Sequence, residues 1–392
     1  MFSRVVEVFF VFLRLGLTSF GGPIAHLGYF HDEFIKRLRW LDEHAYADLV
    51  ALCQFLPGPA SSQVGIAVGL HRAGVLGAIA AWIGFTLPSA LILTAFGFGI
   101  ASFGGQIGGG VLHGLKLVAV PIVAQALWGM GAKLCADKIR ATIAVVGAVL
   151  ASMLPFGFGQ VSVILLGGIA GRVLLKDLSA LPHVPIKSNI SRRAATLILS
   201  VLVALLVLLP GAARISGSQP VKLFDSFFRA GSLVFGGGHV VLPLLKSEVV
   251  SPGWVSADSF MAGYGAAQAV PGPLFAFSAY LGTVSQVPPS GFIGALICLI
   301  AAFLPSFFLV FGTLPFWEQI RKYDGMRSAM QGINAVVVGL LLSAFYNPVW
   351  TSAIFAPRDF GLAAIGFLLL VFWKTPSWAV VLMTAFASSV LI

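Results

Sequence analysis

Two arginines lie inside apolar runs, where a buried charge needs a use: Arg14 in LRLGLTSFGGP (residues 13–23) and Arg229 in FRAGSLVFGGG (228–238). A guanidinium stays protonated and offers a planar fork of N–H donors suited to an oxyanion. Each arginine is followed by a glycine break, Gly21, Gly22 and Pro23 in the first stretch and Gly236 and Gly237 in the second. Glycine lets the backbone turn and bares its N–H groups, and non-helical backbone at membrane depth is tolerated where it lines a cavity or is buried in protein. A second motif also occurs twice, as Gln54, Pro57, Gly58 and Pro59 in QFLPGP and as Gln268, Pro271, Gly272 and Pro273 in QAVPGP. Proline at the first position of a helix starts it, and a helix N-terminus carries free N–H donors and a partial positive charge. These residue types at these spacings predict reversible binding of an anion.

Each motif also has a structural reading. Arg14 and Arg229 could reach the membrane surface or pair with nearby acids, Glu7 and Asp225 respectively. Against that, a surface role gives no reason for the same residue at matched positions. Glycine pairs and PGP turns also mark ordinary kinks and tight packing. Lys116, aligned with Asn334, is a third cation in an apolar segment, either snorkelling to the interface or making an asymmetric anion contact. His26 and His239 lie just past the glycine breaks and are either packing residues or, with Asp48 and Asp225, candidates for a coupling proton. Of fourteen acids, Glu7, Asp48 and Asp225 are the ones expected in or beside apolar segments, which disfavours a cation path. The charged run at 31–44 is read as a solvated loop, with an amphipathic interfacial helix as the alternative. There is no GxSxG, HExxH or Walker A pattern, and Cys53, Cys135 and Cys298 have no metal-ligand spacing. No enzyme, metal or cofactor is therefore expected.

The elements that must position these residues are membrane helices. The chain has 392 residues, 58% hydrophobic and 10% charged, with a mean hydropathy of +0.97. That is too few polar residues to cover a soluble surface. The net charge of +10 lies mostly in loops, where it orients the chain rather than binding nucleic acid. Thirteen apolar segments can be drawn, near 5–20, 47–70, 73–100, 107–130, 142–155, 161–175, 196–209, 223–245, 260–284, 291–314, 330–346, 360–372 and 377–392. Some of them are short enough to be broken or re-entrant. With the N-terminus cytoplasmic and the C-terminus outside, most lysines and arginines fall in inside loops, although Lys36, Arg37 and Arg39 do not.

The repeat continues beyond the opening motifs. Trp40 matches Trp254, Pro88 and Ser89 match Pro305 and Ser306, and Gly114 matches Gly332. The expected fold is an all-α polytopic membrane protein with two repeats of about six helices, at 1–176 and 221–392. A cytoplasmic loop and one linking helix at 177–220 join them. One extra crossing inverts the second repeat against the first, an arrangement found in secondary transporters.

At FGGP (20–23), FGGG (235–238) and the paired QxxPGP motifs, the sequence resembles the chromate ion transporter family in its long, two-domain form. The resemblance covers nearly the whole chain. It implies two fused homologous domains in opposite orientation and export of chromate across a bacterial cytoplasmic membrane, driven by ion-motive force and conferring resistance. The second half departs from the pattern, with Gly238 where the first has Pro23 and His239 following. The expected partners are a chromate- or sulfate-like oxyanion and the lipid bilayer, with a homodimer as an open alternative. An importer or exchanger of sulfate is the second reading and a non-transporting scaffold the third.

Overall fold

A computed structural model of the chain describes residues 2–103, 109–154, 158–175, 190–235, 238–320 and 323–391. Gly236, Gly237 and most of the 177–220 linker's loop lie outside the described residues. Every regular element among the described residues is helical. The first half contains α1 (Phe2–Thr18), α2 (Gly22–His31), α3 (Glu43–Phe55), α4 (Ala60–Phe103), α5 (Gly109–Leu117), α6 (Ala119–Leu134), α7 (Lys138–Met153) and α8 (Phe158–Leu174). After α9 (Arg192–Ser216), the second half contains α10 (Gln219–Leu233), α11 (Val241–Val249), α12 (Ala257–Ala267) and α13 (Phe277–Thr283). It continues with α14 (Gly291–Thr313), α15 (Trp317–Ile320), α16 (Asp324–Ala344), α17 (Pro357–Val371) and α18 (Ser377–Leu391). Five helical stretches are long and apolar enough to cross a membrane, at Ala60–Ser102, Gly109–Leu134, Arg192–Ser216, Gly291–Phe316 and Asp324–Trp350. Most of the α9 surface is exposed, with Leu197, Val207 and Leu208 each about two-thirds open. In a helix this apolar, that face is a lipid face.

Several expected segments are subdivided. The apolar run at 47–70 breaks at the PGP turn into α3 and the start of α4. α4 is itself two helices joined at a kink, where Ala73 and Gly74 leave helical geometry. The runs at 223–245 and 260–284 likewise split, into α10 and α11 and into α12 and α13. Proline and positive-φ glycine end a helix because neither continues its hydrogen-bond ladder without strain.

Some helix pairs of the two halves pack alike. α1 packs along α4 as α10 packs along α14. Gly69 meets Gly77 across the α4 kink as Gly282 of α13 meets Gly294 of α14. The last helices of each half are exchanged: α7 and α8 of the first half hold α16, while α17 and α18 of the second hold α6 and α5. Small residues permit the close approach. Gly147 and Gly167 seat Val336, Gly171 lies on Gly332, and Gly114 lies against Ala385. In lipid, where apolar surface alone gives no drive to associate, such contacts are what hold helices together.

Candidate functional site

Each PGP turn is hydrogen-bonded to the end of the helix that precedes the glycine pair of the other half. Gly58, with φ +116°, donates its N–H to the carbonyl of Val234 at 2.5 Å. Gly272, with φ +94°, donates its N–H to the carbonyl of Ser19 at 2.9 Å. Val234 and Ser19 directly precede the Phe-Gly-Gly of their own halves, so each PGP turn is fastened to the break of the other half. Gly58 also faces Ser306, and Gly272 faces Ser89, the serines of the matched Pro-Ser pairs. These bonds satisfy backbone groups that leave their helices inside the protein.

A cavity of about 600 Å³ opens beside this crossing. Gly21, Pro23, Gln54, Gly58 and Ala60 line it together with Gln125, Lys133, Asn334 and His239. The first turn of α4 begins at Ala60, so its unpaired N–H groups and the positive end of its dipole border the space. Lys133, on the last turn of α6, is exposed and has no ion-pair partner among the described residues. Cation, helix N-terminus, amide side chains and imidazole together form a donor-rich chamber that favours negative charge.

Neither Arg14 nor Arg229 lines it. Arg14 is paired with Glu33, which also pairs with Arg37. Arg229 donates to Glu248 at 2.8 and 2.9 Å and to Asp225 at 3.0 and 3.1 Å. Each arginine thus meets a glutamate 19 residues further on. Arg14 and Arg229, expected to face the anion path, are instead engaged by carboxylates of their own halves, Arg14 sharing Glu33 with Arg37 and Arg229 taking both Asp225 and Glu248. Glu7 pairs with Arg72 at 2.9 Å rather than with Arg14, whereas Asp225 takes its expected partner. The charged run at 31–44 is not a solvated loop, because its first part continues α2 as a π-helical turn, Asp32–Arg37, with Glu33 and Phe34 buried.

Of the other expected site residues, Gly21, Pro23, Gln54, Gly58 and His239 converge on the cavity. Gly22, Pro57, Pro59, Gln268, Pro271, Gly272 and Pro273 do not line that space. Asp48 and His26 are buried, and His26 Nδ1 lies 3.3 Å from the Ser61 hydroxyl. Lys116 is engaged by Asp258 of α12 at 2.8 Å. One turn earlier, His113 meets Asp359 at 3.1 Å, so α5 is tied to two second-half helices. Asp258 is largely exposed, and Asp258→Asn is expected to cost less than about 1 kcal/mol in a detergent melting curve.

Sequence reasoning missed Glu33, Glu248, Gln125, Lys133 and Tyr264 as parts of the arrangement. The glutamates had a signal: the repeat offset that relates Arg14 to Arg229 also relates Glu33 to Glu248. Gln125 and Lys133 have counterparts of no matching chemistry, and only the packing of α6 against α16 brings them to the crossing.

A family model described as chromate transporter matches residues 6–172 and again 221–389. The chain belongs to the chromate transporter family. It is a multi-pass membrane transporter and not an enzyme. It is 27% identical over 389 residues to a chromate transport protein of Pseudomonas aeruginosa, covering 97% of this chain and 90% of that one. It is 29% identical over 336 residues to a probable chromate transport protein of Synechococcus elongatus, covering 85% and 81%. A chromate transport protein of Cupriavidus metallidurans is 27% identical over 340 residues, covering 85% and 80%. No solved structure matches the chain. Within the transporter, the twofold match falls on the two halves that exchange their last helices.

Proposed function

We propose that the transporter is a secondary exporter of chromate, a divalent tetrahedral oxyanion, across the bacterial cytoplasmic membrane, and that it gives chromate resistance. The observation that carries this reading is the donor-rich cavity beside the Gly58–Val234 and Gly272–Ser19 bonds. The names of the relatives support the choice of oxyanion. The two repeats, 1–176 and 221–392, lie in opposite orientation with the 177–220 segment between them, the N-terminus cytoplasmic and the C-terminus outside. The halves move against one another about the Gly58–Val234 and Gly272–Ser19 bonds. The oxyanion rests between Lys133, the start of α4 and the amides of Gln54, Gln125 and Asn334. The inside-negative potential already favours anion exit, by roughly 2.3 kcal/mol per charge per 100 mV, so no coupling ion is demanded for efflux.

Chromate flux in proteoliposomes of defined sidedness, with sulfate as competitor, tests the reading. Wild-type protein should move chromate outward, and Lys133→Gln should raise KM about tenfold by removing the cavity's cation. Sulfate transported in preference to chromate would replace the substrate, and absence of flux for either anion would remove the transport reading.

A further inference from the structure

The second half breaks its helix differently from the first: Gly238 and His239 stand where the first half has Pro23 and Ile24. The difference is paired with another. Tyr264 in α12 occupies the position that the repeat assigns to Val50 in α3, and its hydroxyl meets His239 Nδ1 at 2.8 Å. Both members of this pair are polar in the second half, and both are branched aliphatic residues in the first. His239 lines the cavity, while Tyr264 is fully buried behind it.

We propose that His239 is a further second-half contact for the oxyanion, offering it a neutral imidazole Nε2–H, and that Tyr264 is the positioning residue that sets this tautomer. The proposal rests on the cavity being the oxyanion's site. Nδ1 is occupied by Tyr264, which leaves Nε2 as the ring nitrogen for a ligand. The direction of the Nδ1 bond follows from accounting for protons. If Nδ1–H donated to the phenol, the Tyr264 O–H would remain buried with no acceptor, since its one hydrogen-bond partner among the described residues is His239. If the phenol donates to a bare Nδ1, both groups are satisfied and the ring proton must sit on Nε2. A neutral N–H donor then complements the charge of Lys133 from the other half. It can release the anion more readily than a second fixed cation would, as a carrier requires.

Chromate is the probe. In proteoliposomes, His239→Leu should raise the chromate KM about tenfold while changing the maximal rate less than about threefold. His239→Gln, which keeps an N–H in reach, should stay within about threefold of wild type on both. The tautomer is read directly by nitrogen-15 NMR of histidine-labelled protein. Wild type should show a bare Nδ1 and a protonated Nε2 at His239, and Tyr264→Phe should show a mixture together with a KM raised about threefold. A merely structural role for Tyr264 would leave the tautomer unchanged. Should His239→Leu fail to insert, the wild-type and Tyr264→Phe spectra still decide the matter, because a protonated Nδ1 in wild type overturns the proposal. A wild-type KM in His239→Leu alongside a raised KM in Lys133→Gln would also overturn it and leave the cavity reading standing. Wild-type affinity in both variants would remove the cavity reading itself.

Discussion

Arg229→Gln is expected to destabilise the detergent-solubilised transporter by about 3 kcal/mol, far more than Arg14→Gln, at under about 1 kcal/mol. Removing Arg229 leaves Asp225 and Glu248 facing one another with no cation between them. Both carboxylates are largely shielded, with side-chain exposures of 6% and 15%, so water recovers little of the loss. Removing Arg14 leaves Glu33 still paired with Arg37, and Arg14 itself is half exposed. Thermal melts of the two single variants measure the difference. Neutralising the whole cluster, with Arg229→Gln, Asp225→Asn and Glu248→Gln together, should recover most of the stability, because uncharged side chains are cheap to bury where one unpaired charge is not. The rescued protein should also transport chromate. If it melts like wild type yet carries none, Arg229 is an anion contact and the ion-pair account fails.

Gly58→Ala and Gly272→Ala are expected to reduce transport to background. At both positions φ lies in the left-handed region, which costs an L-residue roughly 1–2 kcal/mol. A Cβ on Gly272 would lie 3.0 Å from the Ser89 hydroxyl and 3.2 Å from the Phe85 carbonyl. A Cβ on Gly58 would stand 2.5 Å from Gln63 Nε2, which cannot swing away without breaking its 2.6 Å bond to the Pro57 carbonyl. The alanine at Gly272 therefore presses on the first half across the bond that joins the two halves, and the alanine at Gly58 displaces Gln63 from the turn whose N–H bonds Val234. Gly217→Ala is the control: its φ is +63°, but nothing lies within 4 Å of the added atom. It should lose about 1 kcal/mol of stability and keep its flux. Equal loss of flux in all three would assign the effect to backbone strain alone and not to the crossing.

The two predictions divide along what was legible in the chain itself. The duplication, the helical class and the positions of the breaks are written in local chemistry: apolar run length, glycine, proline and their recurrence. These depend on backbone sterics and on transfer of side chains into lipid, which act residue by residue. The arginine clusters were half legible. Asp225 lies one helical turn before Arg229 and can be read directly, whereas Glu33 and Glu248 are brought back to their arginines only because α2 and α11 fold against the preceding helices.

The opening stretch at 13–23 looked like an anion site because it combined a cation with bare backbone. Sequence alone determined that a charge and a helix break occur there, and that both occur twice. Tertiary structure decided that they part company: the arginine turns to a glutamate within its own half, while Gly21 and Pro23 face a cavity whose cation, Lys133, comes from α6. A local pattern specifies which groups need a partner. Which partner each one finds is set by long-range folding, the return of α2 and α11 within each half for the glutamates and the packing of α6 on α16 for Lys133, and neither run length nor periodicity encodes that folding.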